Sequence, residues 1–360
     1  MNRKLLSIVS LLFLTQLVFS QNTFQKAKTG NVEAMFILAK EYYTGIGQIQ
    51  SYSNALTWFE RAANKNHIES MYRTAQMYEK GQSVNPNDRI ALDYYRKAAE
   101  KGHFASQLIL AQWLEEGRGD IKSPARALLW YRVCAQRDEP LACRKLGDYY
   151  TEGRILEKDH SSAKYWYEKA IEKGDREAKA KLAYLYVIEG GIAPNYEKAN
   201  ELNHELLLEH FPLSLFNQGM ISMNYKNDNE KAFDYFQKSM NLGFEESRYR
   251  VGIMKYYGKG TSQDVENAIK LFETLPEKYK KETDFLIANA YRKGLDIDIN
   301  NTKAIEFYKS SANYDNSQAC IELAQMYENG IGVRRNLNEA RKWRKRANDL
   351  LNPNIKPKKK

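Results

Sequence analysis

The sequence predicts an all-α fold, a right-handed α/α superhelical solenoid of about nine helix-turn-helix repeats of 36 residues. Two columns of small residues carry this prediction, because they recur in step along almost the whole chain. The first column comprises Ala39, Ala75, Ala111, Gly147, Ala183, Gly219, Gly252, Ala288 and Ala324. The second follows sixteen residues later and comprises Ala55, Ala91, Ala127, Ala163, Ala199, Ala232, Ala268, Ala304 and Ala340. Both columns keep a spacing of 36 residues except for one step of 33, which places a three-residue deletion in the loop of repeat six, near residues 224–229.

Each repeat reads as two amphipathic helices joined by a loop. Small residues are expected where two helix axes approach closely, because a larger side chain would push the helices apart. An aromatic residue often follows three positions after the first column, as at Tyr42, Tyr78 and Tyr327, and extends an apolar stripe at helical spacing. One such hairpin cannot bury its apolar faces alone, so neighbouring repeats are expected to stack into a continuous core.

Glycine marks the end of the first helix in most repeats, where it is the expected left-handed cap. These glycines stand six residues after the first column, at Gly45, Gly81, Gly117, Gly153, Gly258, Gly294 and Gly330. Repeats five to seven depart from the pattern. Residues 204–209 and Leu275-Pro276 replace the usual end of the second helix, and Ser222 and Lys255 replace the aromatic residue.

The pattern A-x4-L-[AG]-x2-Y-x2-G-x-G, followed by an alanine and W/Y-[YF]-x2-A, resembles the Sel-one-like repeat (SLR) over about residues 30–350. This resemblance implies a tetratricopeptide-like solenoid whose first helices line a concave groove. It also implies an adaptor role, because SLR proteins commonly serve in envelope assembly, signalling and contacts between bacteria and hosts.

The two ends of the chain differ from the repeats. Residues 1–20 combine Arg3-Lys4, an apolar run to Phe19 and small residues near the end, which predicts a signal peptide cleaved before Gln21. Residues 21–29 form a lead-in, the repeats occupy residues 30–350, and residues 351–360 form a basic tail that we expect to be disordered. The mature protein is therefore expected to be exported, either periplasmic or secreted, without a membrane span.

Charge is concentrated at the ends. Arg3 and Lys4 at the start, and four lysines from Lys356 onward, supply six of the ten net positive charges, and neither end carries an acid. The repeat body is left with a modest excess of about four, which does not suggest a nucleic-acid surface. We therefore expect no nucleic-acid partner.

The first helices of repeats five to seven carry an unusual number of apolar residues at the positions that would face the groove. Apolar and aromatic patches of this kind suit an extended peptide or a partner helix. The predicted partner-binding residues are Tyr184, Phe216, Met220, Met223, Tyr249, Ile253 and Tyr256. The alternative is that some of these positions are covered by the neighbouring repeat.

Cysteines offer one candidate cross-link. Cys134 and Cys143 flank the turn between repeats three and four and could pair in an oxidising compartment. The SLR resemblance implies the same, because some exported, cysteine-rich members of that family staple this turn. The alternative is a pair of buried free thiols, and Cys320 has no evident partner.

The sequence shows no pattern of residues typical of a cofactor or metal site. His67 and His103 share one repeat position, and His204 and His210 are six residues apart, which is unlike the four-residue spacing of a shared metal. Ser161-x-x-Lys164, Lys28-Thr29-Gly30 and Ser51-x-Ser53-Asn54 echo the motifs of penicillin-recognising enzymes, although their order is reversed.

We therefore expect a monomeric, non-enzymatic, exported scaffold that binds a protein or peptide through its groove. The alternative is a protein that binds or hydrolyses cell-wall fragments or β-lactams, an activity to which some exported SLR proteins have been linked.

Overall fold

The computed structural model describes residues 21–188 and 190–352, and the described part is entirely helical, with no strand. The predicted signal peptide and most of the basic tail lie outside the described residues. The described residues form nineteen helices: α1 (residues 21–28), α2 (Val32–Thr44), α3 (Tyr52–Asn64), α4 (Ile68–Lys80), α5 (Asp88–Glu100), α6 (Phe104–Glu116), α7 (Pro124–Ala135), α8 (Pro140–Glu152), α9 (His160–Glu172), α10 (Arg176–Val187), α11 (Tyr196–Leu208), α12 (Pro212–Asn224), α13 (Asn229–Asn241), α14 (Glu245–Tyr257), α15 (Val265–Glu273), α16 (Glu277–Lys293), α17 (Asn301–Asn313), α18 (Ser317–Asn329) and α19 (Leu337–Leu351).

The helices are arranged as antiparallel hairpins that stack in chain order. The chain divides into two compact blocks, an N-terminal block that ends at Ala178 and a C-terminal block that begins at Lys179. Within the N-terminal block, each helix from α2 to α9 packs against the next, and the same holds from α11 to α19 in the C-terminal block. The predicted fold class, an all-α solenoid of helix-turn-helix repeats, is confirmed.

Local sequence explains where the helices begin and end. Most helices start after a residue whose side chain accepts a hydrogen bond from the backbone of the first turn, such as Asn31, which accepts from the amide of Ala34 at 2.8 Å. First helices often end at the predicted glycine, which adopts the left-handed conformation at Gly45 (φ 76°) and Gly330 (φ 69°). These caps fix the length of the hairpin and therefore the register of the repeat.

Both small-residue columns are buried throughout, as predicted. The reason is visible at the glycines of the first column, against which an aromatic ring of the second helix lies directly. A Cβ added to Gly219 would stand 2.5 Å from the ring of Phe236, and one added to Gly252 would stand 2.5 Å from the ring of Phe272. The column is therefore small because the ring of the same hairpin occupies the space.

Repeats six and seven show where the pattern breaks. The loop of repeat six spans only the four residues between Asn224 and Asn229, which confirms the predicted deletion. The second helix of repeat seven, α15, has nine residues, and the first helix of repeat eight, α16, has seventeen, whereas thirteen is the usual length. Pro276 explains the change, because proline cannot continue α15 and instead becomes the N-cap residue of α16. Residues 204–209, in contrast, do not shorten the second helix of repeat five, since α11 has the usual thirteen residues.

Among the described residues, no helix combines the length and the apolar character needed to cross a membrane.

Candidate functional site

The seven residues predicted to bind a partner fall into two groups in the structure. Phe216, Met220 and Tyr256 are buried, with 2%, 3% and 4% of their surface exposed. The other four, namely Tyr184, Met223, Tyr249 and Ile253, are half-buried. We call these four residues the first-helix strip, because they lie on α10, α12 and α14, the first helices of repeats five to seven.

Phe216 is buried because its position has a packing role in several repeats. The residue three places before the first small column contacts the start of the next first helix. Ring centroids are 4.6 Å apart for Phe36 and His67, and also for Tyr72 and His103. Phe216 follows this rule, since its ring lies 5.2 Å from that of Phe244, the N-cap residue of α14. The alternative, that the neighbouring repeat covers this position, therefore holds for Phe216.

Tyr256 is also held inside the core. Its ring packs near Phe272, at 6.4 Å between centroids, and its hydroxyl donates to the carbonyl oxygen of Leu286 at 3.1 Å. A partner could reach neither Tyr256 nor the buried Met220 without displacing neighbouring side chains. The surface that a partner could contact is therefore the first-helix strip and not the whole predicted set.

Charged and aromatic groups of α14 and α16 act on Tyr184 of α10. Burial raises the pKa of Tyr184 to about 12, Glu246 and Tyr279 add to the rise, and Arg250 and Lys278 oppose it. These four groups lie on α14 and α16.

Aromatic and charged groups lie around Tyr249, one residue of the strip. Tyr249 stacks on Tyr279 with 4.9 Å between ring centroids, and its hydroxyl donates to Oε2 of Glu282 at 2.5 Å. Lys278 pairs with Glu245 at 2.7 Å, and its ammonium lies 4.8 Å from the centroid of the Tyr279 ring. The Tyr279 hydroxyl is buried and has no hydrogen-bond partner among the described residues.

The sequence did not reveal that Lys278 and Tyr279 belong to this surface. Both lie in the extra first turn of α16, which exists only because Pro276 ends α15 early. The signal that could have located them was the Leu275-Pro276 dipeptide, since a proline is tolerated just before the first turn of a helix and not inside one.

The corresponding positions of the N-terminal block mix half-buried apolar side chains, at Phe36, Tyr72 and Leu108, with polar groups that are already paired. Tyr95 donates to Oε2 of Glu79 at 2.5 Å, and the guanidinium of Arg118 reaches Oε1 of the same carboxylate at 3.0 Å. Tyr131 and Lys145 both donate to Oε2 of Glu115, at 2.9 and 2.7 Å. Paired carboxylates therefore stand at Glu79 and Glu115, the position of Met223, while the position of Tyr249 is also half-buried and apolar in repeats one to three.

The three cysteines are free and fully buried in the structure. Burial raises the pKa of Cys134 and of Cys143 to about 11, which keeps both thiols protonated at neutral pH. The disulfide between Cys134 and Cys143 stays a prediction. Protein recovered from an oxidising compartment and unfolded without reductant would then show one free thiol, that of Cys320, instead of three.

Two of the histidines and one of the serines discussed above lie at the N-termini of helices. His67 and His103 are N-cap residues, whose Nδ1 atoms accept from the amides of Ser70 and Ser106 at 3.1 and 3.2 Å. The amide of Ser161 donates to Asp159, the N-cap residue of α9, at 2.9 Å. No group of three or more His, Cys, Asp or Glu side chains within the described ranges is placed to hold a metal ion.

Comparison with known families agrees with this architecture. A model of the Sel1 repeat matches nine segments of the chain, residues 32–67, 68–103, 105–136, 140–175, 176–202, 219–244, 245–274, 284–313 and 317–350. The chain belongs to the Sel1 repeat family. Repeats of this family generally mediate protein–protein interactions, and the family is typically non-catalytic.

Relatives with curated names match only part of this Sel1 repeat chain. It is 28% identical over 147 residues to the chitin synthase regulator SKT5 of Malassezia restricta, covering 40% of this chain and 10% of that protein. It is 24% identical over 149 residues to DAP3-binding cell death enhancer 1 of Rattus norvegicus, covering 31% of this chain and 29% of that protein. The chain thus spans less than a third of the length of either relative.

Two solved structures share the fold of this Sel1 repeat protein. One is c5321, described as a protective antigen of uropathogenic Escherichia coli with an SLR fold, at a TM-score of 0.54 and 22% identity, covering 97% of this chain and 87% of that chain. The other is a Sel1 repeat protein of Oxalobacter formigenes, at a TM-score of 0.56 and 18% identity, covering 87% of this chain and 93% of that chain. At these identities the likeness concerns the fold alone.

Proposed function

We propose that this Sel1 repeat chain is an exported, non-enzymatic scaffold that binds a protein or peptide on the concave first-helix face of its C-terminal block. The observation that carries the proposal is the first-helix strip. Tyr184, Met223, Tyr249 and Ile253 remain partly exposed on three successive first helices. At the position of Met223, the N-terminal block carries paired carboxylates instead, at Glu79 and Glu115.

The chemistry of the strip favours a polypeptide partner. Apolar and aromatic side chains supply the buried centre of an interface, while the surrounding charges, such as Lys278 and Glu245, supply directional contacts at its edge. A concave face lined by parallel helices can grip an extended segment or a helix along its length. The interaction function of Sel1 repeats in general agrees with this use.

Site-specific photo-crosslinking tests the proposal. Ile253 and Met223 would each be replaced by p-benzoylphenylalanine, and Leu242, which is 51% exposed at the end of α13, would carry the same group as a control. We expect one discrete crosslinked protein in the cell envelope of the source organism from positions 253 and 223, absent from position 242 and diminished by Tyr249→Ala. Equal products from all three positions would contradict a specific surface. Turnover of nitrocefin that disappears in Ser161→Ala would favour the β-lactam alternative instead.

Export is a separate part of the proposal and has its own test. The basic start, apolar run and small residues of positions 1–20 support it. The mature protein is expected outside the cytoplasm with Gln21 as its first residue, which N-terminal sequencing of the fractionated protein would establish. Full-length protein retained in the cytoplasm would contradict export while leaving the partner surface untouched.

A further inference from the structure

A pocket separates α15 and α17, the second helices of repeats seven and eight. It exists because α15 lacks its last turn, while α16, the helix between them in the chain, has an extra first turn. In repeat one, α3 continues nine residues past Ala55, whereas α15 ends at Glu273, five residues past Ala268. The missing turn leaves a cavity of about 300 Å³. Its walls are the end of α15 on one side and α17 on the other, and α16 forms its floor.

The same place in an ordinary repeat is filled by a small apolar cluster. Between repeats one and two, Met71 packs against Ala63 and Ala98, with Tyr94 beside them. The residues at the equivalent repeat positions around the pocket are Asp284, Pro276, Ser311 and Phe307. A carboxylate thus replaces the buried methionine, and a proline replaces the alanine of the missing turn.

Asp284 is the buried charged group of this pocket. Its side chain lines the cavity although only 6% of the residue is exposed. The hydroxyl of Ser310 donates to Oδ2 at 2.5 Å, and no described residue donates a hydrogen bond to Oδ1. Burial raises the pKa of Asp284, while Ser310 and Lys280 oppose the rise. A buried carboxylate with one open oxygen is costly unless a cation or donor meets it.

The other residues that line the pocket indicate which kind of ligand could bind to Oδ1 of Asp284. Glu273 and Glu306 add two carboxylates and Lys280 adds one ammonium, so the lining is negative overall. The half-buried Phe307 of α17 supplies an apolar wall, which can contact an aliphatic stem and attract a cation through the ring face. Since the carboxylates do not converge as metal ligands within the described ranges, the site is wider than a bare divalent ion needs.

We propose that this pocket binds an organic cation, a primary ammonium or a guanidinium on a short aliphatic stem, as in a lysine or arginine side chain. The charged head meets Oδ1 of Asp284, and the stem lies against the ring of Phe307. This site is distinct from the first-helix strip, and the proposal does not depend on the partner proposed there.

A matched pair of small probes tests the charge requirement. The probes are 4,4,4-trifluorobutylammonium chloride and the neutral 4,4,4-trifluorobutanol, each titrated with the full chain and observed by ¹⁹F NMR. We expect saturable binding of the ammonium, at least about tenfold tighter than binding of the alcohol. Asp284→Asn, which keeps the shape and removes the charge, should weaken ammonium binding by about tenfold or more.

Two further variants separate binding from folding. Glu266→Gln removes the same charge from an exposed carboxylate of α15 that pairs with Lys270, and should change ammonium affinity by less than about twofold. Asp284→Met restores the residue of repeat two, and should abolish binding while melting at or above the temperature of the wild-type chain. The proposal is overturned if Asp284→Asn binds the ammonium as well as wild type does, if the alcohol binds equally, or if wild type shows no saturable binding up to about 50 mM.

Discussion

The ring of Tyr167 lies so close to Gly147 that a Cβ at position 147 would stand 2.4 Å from its Cε1 atom. The ring cannot easily withdraw, because its hydroxyl donates to Oδ1 of Asp148 at 2.8 Å and lies 3.1 Å from the hydroxyl of Thr151. The backbone of α8 and the Tyr167 ring of α9 therefore fix how closely the two helices of this hairpin pack.

Gly147→Ala should consequently destabilise the protein by about 1–3 kcal/mol, as overpacking of a core usually does. The sign is informative, since alanine in a helix that accepted it freely would stabilise by up to about 1 kcal/mol. Urea unfolding followed by circular dichroism measures the change. Ser161→Ala, an exposed substitution in α9, serves as the control and should stay within about 0.5 kcal/mol. A Gly147→Ala variant as stable as wild type would contradict this close packing.

Gln218 occupies a position that is leucine in other repeats, such as Leu182 and Leu323. It is 5% exposed, and its Oε1 atom has no hydrogen-bond partner among the described residues. Because a buried unsatisfied amide costs free energy, Gln218→Leu should stabilise the chain by about 1–2 kcal/mol. Thermal unfolding tests this expectation against Gln325→Leu, an exposed substitution of the same chemistry that should change little. A lower melting temperature for Gln218→Leu would show that the Gln218 amide makes stabilising hydrogen bonds in the folded chain.

Asp264 should make the stability of the C-terminal block depend on pH. Hydrogen bonds from Asn267 and the ammonium of Lys255 lower the pKa of this carboxyl from 3.8 to about 2. A lowered pKa in the folded state stabilises the fold above the pKa of the unfolded state, and the stabilisation is lost as the pH falls through the folded pKa. The gain is therefore present above about pH 4 and disappears towards pH 2.

Asp264 is also the N-cap residue of α15, since it accepts from the amide of Asn267 at 3.1 Å. Asp264→Ala should cost about 1 kcal/mol at neutral pH, and the difference from wild type should shrink between about pH 4 and pH 2. Glu266→Ala, in the first turn of the same helix, provides the comparison. A difference that stays constant down to pH 2 would contradict an ionised cap.

Most of the fold could be predicted because the repeat states the same packing rule many times. Ala39 and Ala55 alone would say little, but in-step columns identify the helix crossings, and Gly45 and its equivalents identify the helix ends. The deletion in repeat six can be located from the columns for the same reason. The extra turn of α16 cannot, because Leu275-Pro276 shows that α15 ends and does not show that the next helix begins a turn early.

The candidate site was harder to predict from the sequence, because repeat position does not fix exposure. Phe216 and Tyr249 share a position, yet Phe216 is buried and Tyr249 is half-buried. The difference arises from the next first helix that each residue contacts. Phe244 caps that helix beside Phe216, whereas Tyr249 meets Tyr279 inside a lengthened helix. Contacts between neighbouring repeats decide exposure, and a column of residue types does not record them.

Phe216 and Ile253 should therefore respond differently to truncation. Phe216 is enclosed by the rings of Phe236 and Phe244, at 5.4 and 5.2 Å between centroids, so Phe216→Ala would leave a cavity and should cost about 3–5 kcal/mol. Ile253 is half-buried, so Ile253→Ala should cost about 1 kcal/mol. Urea unfolding of the two variants measures both values, and equal losses would place both residues in the core. The two values also govern how partner binding is tested: a loss of binding in a Phe216 variant would report a damaged fold, whereas a loss in Ile253→Ala would report a missing contact.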